Sequence, residues 1–167
     1  ATNVLATGVR ANAAAAGRVA VTRRMPDRPW LPAQIGLGSN LDDPPSQVKA
    51  AIERLGGLRD TLLVAVSPLY RSAPMGRADQ PFYVNAVAAL ITRLGAVDLL
   101  DLLIGIETSM GRVRDGERWG PRVIDLDLLL FAGQELDQPG LRVPHPGISS
   151  RNFVLYPLRD LAPDLWV

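Results

Sequence analysis

An α+β sandwich of the split βαβ, ferredoxin-like kind is the fold class this sequence predicts, and three observations predict it. Apolar stretches with strand spacing and stretches with helical spacing alternate in the order β-α-β-β-α-β between Gln34 and Phe131. The 167 residues are 47% hydrophobic and 21% charged, which suits one domain around a single core. Glycine and proline clusters punctuate the junctions between the periodic stretches. Such a fold is an antiparallel sheet with its helices on one face and an open second face.

Each element has a local reason. Residues 1–30 are rich in Ala, Gly and Arg, lack an apolar period and end in PDRPWLP. They read as an appended tail: a basic leader of transit-peptide type, acid-free through Arg24, or sequence upstream of a start at Met25. The domain proper is then 31–167. AQIGLGS, from Ala33, is a strand that ends in the turn Gly38-Ser39-Asn40. Asp42 or Asp43 caps a helix with prolines in its first turn, which runs to Leu55 and stops at Gly56-Gly57. Thr61 to Tyr70 is a second strand with β-branched Val64 and Val66, followed by the turn-rich SAPMGRADQP. Phe82 to Thr92 is a third strand, and Val97 to Met110 a helix with Val97, Leu100 and Ile104 on its apolar face. Gly111 to Pro121 is a loop without any period, of a length that is more often functional than connective. Val123 to Phe131 is the fourth strand, Gln134 to Leu136 hairpins back after Gly133, and Asn152 to Leu161 is a closing helix.

Composition removes several function classes. There is no cysteine, so disulfides, thiolate catalysis and Cys-based metal sites are excluded, and one histidine cannot make a multi-His centre. No apolar run approaches the roughly 20 residues of a membrane span, so the expectation is a soluble, cytoplasmic protein without a membrane partner. The net charge of +1 hides an asymmetry: Arg10, Arg18, Arg23 and Arg24 lie in an acid-free segment, and removing these four from 18 leaves 14 basic against 17 acidic residues. A body of that sign does not offer a broad nucleic-acid surface. Lys49 is the only lysine, so anion binding here relies on arginine, whose guanidinium is planar and bidentate. The third glycine of a dinucleotide fingerprint is missing after Gly36 and Gly38, and no P-loop occurs.

The chemistry concentrates in GRVRDGERWGPRVIDLDLLLF, Gly111 to Phe131. Side chains alternate on a strand, so Asp125 and Asp127 share a face about 7 Å apart, while Ile124, Leu126, Leu128 and Leu130 face the helices. The outward face continues through Leu129 and Phe131, so it is only partly wet. Two close carboxylates repel unless a cation lies between them, and a hard all-oxygen set with open water positions suits Mg²⁺ shared with substrate phosphates. Arg112, Arg114, Arg118 and Arg122 stand close in sequence to the pair and fit the phosphate side of such chemistry. Asn85, an amide amid FYV and AVAAL, needs a partner if buried, and shares a strand face with Tyr83.

Four segments in order, IGLGSNL, SPLYRSAPMG with QPFYVNA, GRVRDGERWGPRVIDLDLLLF, and VPHPGISSRNFVLYPL, resemble the 6-hydroxymethyl-7,8-dihydropterin pyrophosphokinase family over about Gln34 to Leu165. The resemblance implies transfer of a pyrophosphoryl group from ATP to a pterin alcohol with release of AMP, in folate biosynthesis. It implies two Mg²⁺ ions on Asp125 and Asp127. Arg112, Arg122, His145 and Arg151 would contact the triphosphate, with Glu107 at the adenosine end; Arg114 and Trp119 would ride on a loop closing over ATP and pterin. Asn85 would hydrogen-bond the pterin, Tyr83 and Phe153 sandwich it, and Ser72, Met75 and Gly76 offer backbone contacts. It further implies a monomer whose partners are the small substrates alone. This chain departs from the family at Pro146, where some members carry an aromatic, at Ile104, where some carry glutamine, and in PGLR before Val143. The rival readings are a ferredoxin-like binding module for RNA or a small ligand, without catalysis, and an inactive relative that serves as a regulatory ligand binder.

Overall fold

The computed structural model describes residues 28–75, 79–112 and 120–164. The first strand, β1 (Leu31–Ser39), runs through Gly38 instead of turning there. Helix α1 (Pro44–Gly56) starts after Asp43, which adopts a left-handed φ of 61°, with prolines in its first turn where no intrahelical N–H is needed. It buries Val48, Ala51 and Leu55.

The expected second strand is two, β2 (Thr61–Val66) and β3 (Tyr70–Ser72), interrupted around Pro68, which cannot donate to a ladder. Strand β4 (Tyr83–Thr92) pairs with both on one side and with β1 on the other. Helix α2 (Ala96–Ser109) buries Ala96, Leu99, Leu103 and Ile106. Its apolar face is therefore rotated from the expected one: Val97 is 50% exposed, while Leu100 and Ile104 are half-buried beside a cavity.

Strand β5 (Asp125–Phe131) closes the antiparallel order β2-β4-β1-β5. Its register on β1 shifts between Gln34 and Ile35, so the extra residue Leu129 stays on the second face and Phe131 turns into the main core. The expected return hairpin is not made with β5; β6 (Leu136–Gln138) and β7 (Leu141–Val143) pair with each other. Helix α3 is Asn152–Leu161, as expected.

The helices do not all share one face. Alpha-helices α1 and α2 cover the main core of Ile35, Leu90, Leu99 and Leu126. On the opposite side α3 covers Val87 and Leu129 with Val154 and Leu158, a second and smaller cluster. The second face of the sheet is thus open beside α3, where the end of β1 meets the starts of β4 and β5. Among the described residues no helix is long and apolar enough to cross a membrane.

Candidate active site

Strand β1 supplies a floor. Ala33, Ile35 and Leu37 point into the main core, so Gly36 and Gly38 face the other side. The register sets Asn85 and Asp125 on either side of Gly38, and Val87 and Asp127 on either side of Gly36. Neighbouring strands lie about 4.8 Å apart, so Asn85 and Asp125 stand roughly 10 Å apart across a residue with no side chain. That gap suits a flat ring with an amide at one edge and carboxylates at the other.

Asn85 is 4% exposed, and its Nδ2 donates to Ser72 Oγ at 2.9 Å and to Tyr70 O at 3.5 Å. Both contacts use the nitrogen, which leaves Oδ1 on the Gly38 side, 3.3 Å from where a Cβ on that glycine would be. Tyr83, on the same face, donates its hydroxyl to Gly120 O at 3.2 Å and so ties the ring to the arginine loop. Burial raises its pKa, so the phenol stays a neutral donor.

The carboxylates are crowded by guanidinium groups. Arg122 Nη1 donates to Asp125 Oδ2 at 2.7 Å, Arg112 donates to Asp125 Oδ1, and Arg151 lies 3.8 Å from Asp127 Oδ2. Arg112 also donates to Glu107 Oε1, an atom that accepts the Leu126 N–H at 2.8 Å. Asp127 keeps 38% exposure, yet its carboxyl is pushed up to about 7. Burial is the largest cause; Asp125 and Glu107 add to it, while Arg151 and Arg112 oppose it. A second negative charge at this spot is unfavourable until a cation arrives.

Among the described residues no three His, Asp or Glu side chains gather closely enough to hold a metal by themselves. Two carboxylates beside an open cavity are what Mg²⁺ takes when water and substrate phosphates complete its octahedron, so the donor set fits that ion.

A cavity of about 390 Å³ adjoins the pair, bounded by α2, β5 and the β6–β7 hairpin. Its apolar end is Leu100, Ile104, Leu141 and Pro146, and its charged end Glu107, Arg112, Asp125, Asp127 and His145. That size lies within the range of small-molecule sites. His145 Nδ1 accepts the Gly147 N–H at 3.0 Å, so the neutral ring carries its proton on Nε2. Burial first, and Arg151 second, hold its pKa below the usual range against the opposing pull of Asp125. The imidazole is therefore a neutral donor at physiological pH.

Residues 34–163 match the sequence model of the family described as 7,8-dihydro-6-hydroxymethylpterin-pyrophosphokinase (HPPK). The chain belongs to this family. It is similar to the 2-amino-4-hydroxy-6-hydroxymethyldihydropteridine pyrophosphokinase of Pseudomonas aeruginosa, 60% identical over 131 residues that cover 78% of this chain and 80% of that protein. The protein of the same name from Haemophilus influenzae is 45% identical over 135 residues, 81% of this chain and 84% of that protein. Folic acid synthesis protein fol1 of Schizosaccharomyces pombe is 38% identical over 133 residues, 80% of this chain and 18% of that much longer protein.

In this member of the HPPK family, Asp125, Asp127, Glu107, Arg112 and His145 line one cavity, and Arg122 and Arg151 join them through ion pairs. Ser72 and Asn85 are bonded to each other, and Tyr83 to the loop before Arg122. Phe153 lies in the first turn of α3, packed on the second cluster with the Arg151 guanidinium 6.0 Å from its ring centre. Met75 is 41% exposed on the loop after β3. Gly76, Arg114, Arg118 and Trp119 lie outside the described residues, as does most of the loop expected to close.

Asn40 escaped the sequence reading. It is 2% exposed; its Oδ1 accepts the Arg122 N–H at 2.8 Å, its own N–H donates to Arg122 O at 3.1 Å, and its Nδ2 reaches Gln80 Oε1 at 3.3 Å. One amide thereby joins the floor strand to both loops around the site. Its only signal was its place in IGLGSNL, directly after the strand.

Proposed function

We propose that this chain transfers the β,γ-pyrophosphoryl group of ATP to the hydroxymethyl oxygen of 6-hydroxymethyl-7,8-dihydropterin, releasing AMP, in folate biosynthesis. Family membership supports the reaction. The observation that carries the site assignment is the three-strand row Asn85, Gly38, Asp125, which puts a ring-recognising amide and a metal-binding carboxylate on opposite sides of a cleared floor. The strand order β2-β4-β1-β5 also supports a ferredoxin-like description of the sheet.

The pterin lies over Gly38, with Asn85 Oδ1 accepting from its N–H edge and Tyr83 and Phe153 against its faces. ATP occupies the 390 Å³ cavity, its base among Leu100, Ile104 and Leu141 and its phosphates toward the arginines. Asp125 and Asp127 would hold Mg²⁺, two ions in this reading, which supplies charge neutralisation at the phosphoryl oxygens. Arg112, Arg122 and Arg151 orient the triphosphate, and His145 donates through Nε2. The hydroxymethyl oxygen attacks the β-phosphorus in line; the bond from that phosphorus to the α,β-bridging oxygen breaks, and the hydroxyl proton is released. Catalysis is positioning and electrostatics, with no covalent enzyme intermediate. The protein acts as a cytoplasmic monomer in this reading, and the carboxylates on the open face argue against an RNA platform. Incubation with MgATP and the dihydropterin alcohol should yield AMP; none above a control without pterin would refute the assignment.

A further inference from the structure

Glu107 stands out because a carboxylate is badly placed where it sits. It lies in the last turn of α2, at the negative end of the helix dipole, and is 1% exposed. Leu103 and Ile106 already pack this end of the helix into the core, so an apolar side chain would anchor it without an ionic group. What the carboxylate adds is specific. Its Oε1 accepts the Leu126 N–H at 2.8 Å, and that amide belongs to the residue between Asp125 and Asp127. The same oxygen accepts from Arg112, whose Nη1 also reaches Asp125. The backbone closes the loop, since the Arg112 N–H donates to Glu107 O at 3.0 Å.

The need for such a tie follows from topology. Among the described residues β5 is an edge strand of the main sheet with β1 as its strand neighbour, so its outer amides have no ladder partner there within that sheet. The side chain of Glu107 supplies one, at the centre of the D-L-D triplet. An edge strand that must present two carboxylates at fixed spacing gains from being held there.

We propose that Glu107 is a positioning residue for the metal-binding strand: through Leu126 it fixes the backbone between Asp125 and Asp127, and through Arg112 it stations a guanidinium beside Asp125. This rests on the pyrophosphokinase reading, and assigns Glu107 a role through other residues in place of a contact to the nucleotide.

Glu107→Leu removes both ties, whereas Glu107→Gln keeps an oxygen for the Leu126 amide and loses only the charge. In the full chain, Glu107→Leu should speed hydrogen exchange at the Leu126 amide by about 10–100-fold, the loss of one charge-assisted hydrogen bond. Mn²⁺ affinity, titrated by electron paramagnetic resonance with a non-hydrolysable ATP analogue present, should weaken by a similar 10–100-fold. Binding of the analogue without metal should weaken much less than Mn²⁺ affinity does, because Arg122 and Arg151 keep their ion pairs to Asp125 and Asp127. Glu107→Gln should keep wild-type exchange at Leu126 and weaken Mn²⁺ less than Glu107→Leu does. Wild-type exchange or Mn²⁺ affinity in Glu107→Leu would overturn the proposal, and so would an equal loss of metal-free analogue binding. If Glu107→Leu does not fold, Glu107→Gln decides alone, and an unprotected Leu126 amide in that variant overturns the proposal. Exchange is read on the free protein, so its outcome is independent of AMP formation, which tests the pyrophosphokinase reading itself.

Discussion

Asp127→Asn should cut turnover sharply while stabilising the metal-free protein, and the size of that gain follows from the electrostatics of the site. The carboxyl rises from 3.8 to about 7 on folding. At about 1.36 kcal/mol per pH unit the rise corresponds to roughly 4 kcal/mol. Asp127 is 38% exposed, however, and solvent screening reduces the contribution to about 1–2 kcal/mol. Below pH about 4 the group is protonated in both states and the penalty vanishes. Between about 4 and 7 the unfolded chain releases the proton while the native state keeps it, so stability falls as pH rises; above about 7 the whole penalty is present. Asparagine carries no such charge. In EDTA at pH 8, calorimetry should therefore show Asp127→Asn melting about 2–8 °C above wild type, at roughly 2–4 °C per kcal/mol. The gap should narrow steadily toward pH 4. AMP formation should fall by about 10²-fold or more at every pH, as for loss of an electrostatic stabiliser of the transition state. A variant less stable than wild type at pH 8, or a gap that ignores pH, would refute the reasoning about carboxylate crowding; retained turnover would refute the metal role.

Ser72→Ala removes the 2.9 Å partner of Asn85 and leaves the 3.5 Å contact to Tyr70 O, so KM for the pterin should rise about 5–10-fold with KM for ATP unchanged. Equal shifts for both substrates in steady-state assays would contradict the assignment of Asn85 to the ring. Removal of residues 1–24 should leave the rate of AMP formation at the wild-type level, and a loss on truncation would show that the tail takes part.

The D-x-D pair was legible because strand alternation is local: two residues apart means the same face wherever the strand packs. The amphipathic pattern of α3 was equally visible, but an apolar stripe does not say which side of a sheet it covers, and Val154 and Leu158 chose the side of Val87 and Leu129. The bulge at Leu129 was hidden within a continuous apolar run, where either register looks the same until β1 is paired. Asn40 acquires its role from Gln80 and Arg122, residues distant in the chain, so no window of sequence around it could disclose the hub. Val97 stands in solvent because the stripe that α2 buries is Ala96, Leu99, Leu103 and Ile106, and apolar composition alone did not single out that stripe.

The two glycines of β1 separate what the floor requires from what the core requires. Both are strand residues on the site face, so alanine at either is compatible with the backbone and removes unfolded-state entropy worth about 0.4–1 kcal/mol. Their neighbours differ. A Cβ at Gly36 would meet the Leu129 side chain at 3.3 Å, in the second apolar cluster and away from Asn85. A Cβ at Gly38 would meet Asn85 Oδ1 at 3.3 Å, and that amide cannot retreat without giving up Ser72 Oγ. It would also fill the space between Asn85 and Asp125 where the pterin ring is assigned. Gly36→Ala should therefore keep KM for the pterin within about twofold of wild type, while Gly38→Ala should raise it about tenfold or more, at 1.4 kcal/mol per decade. Both should melt within a few degrees of wild type, since neither touches the main core. If Gly38→Ala retains normal pterin affinity, the ring does not lie on this floor, and the row Asn85, Gly38, Asp125 is an accident of strand register.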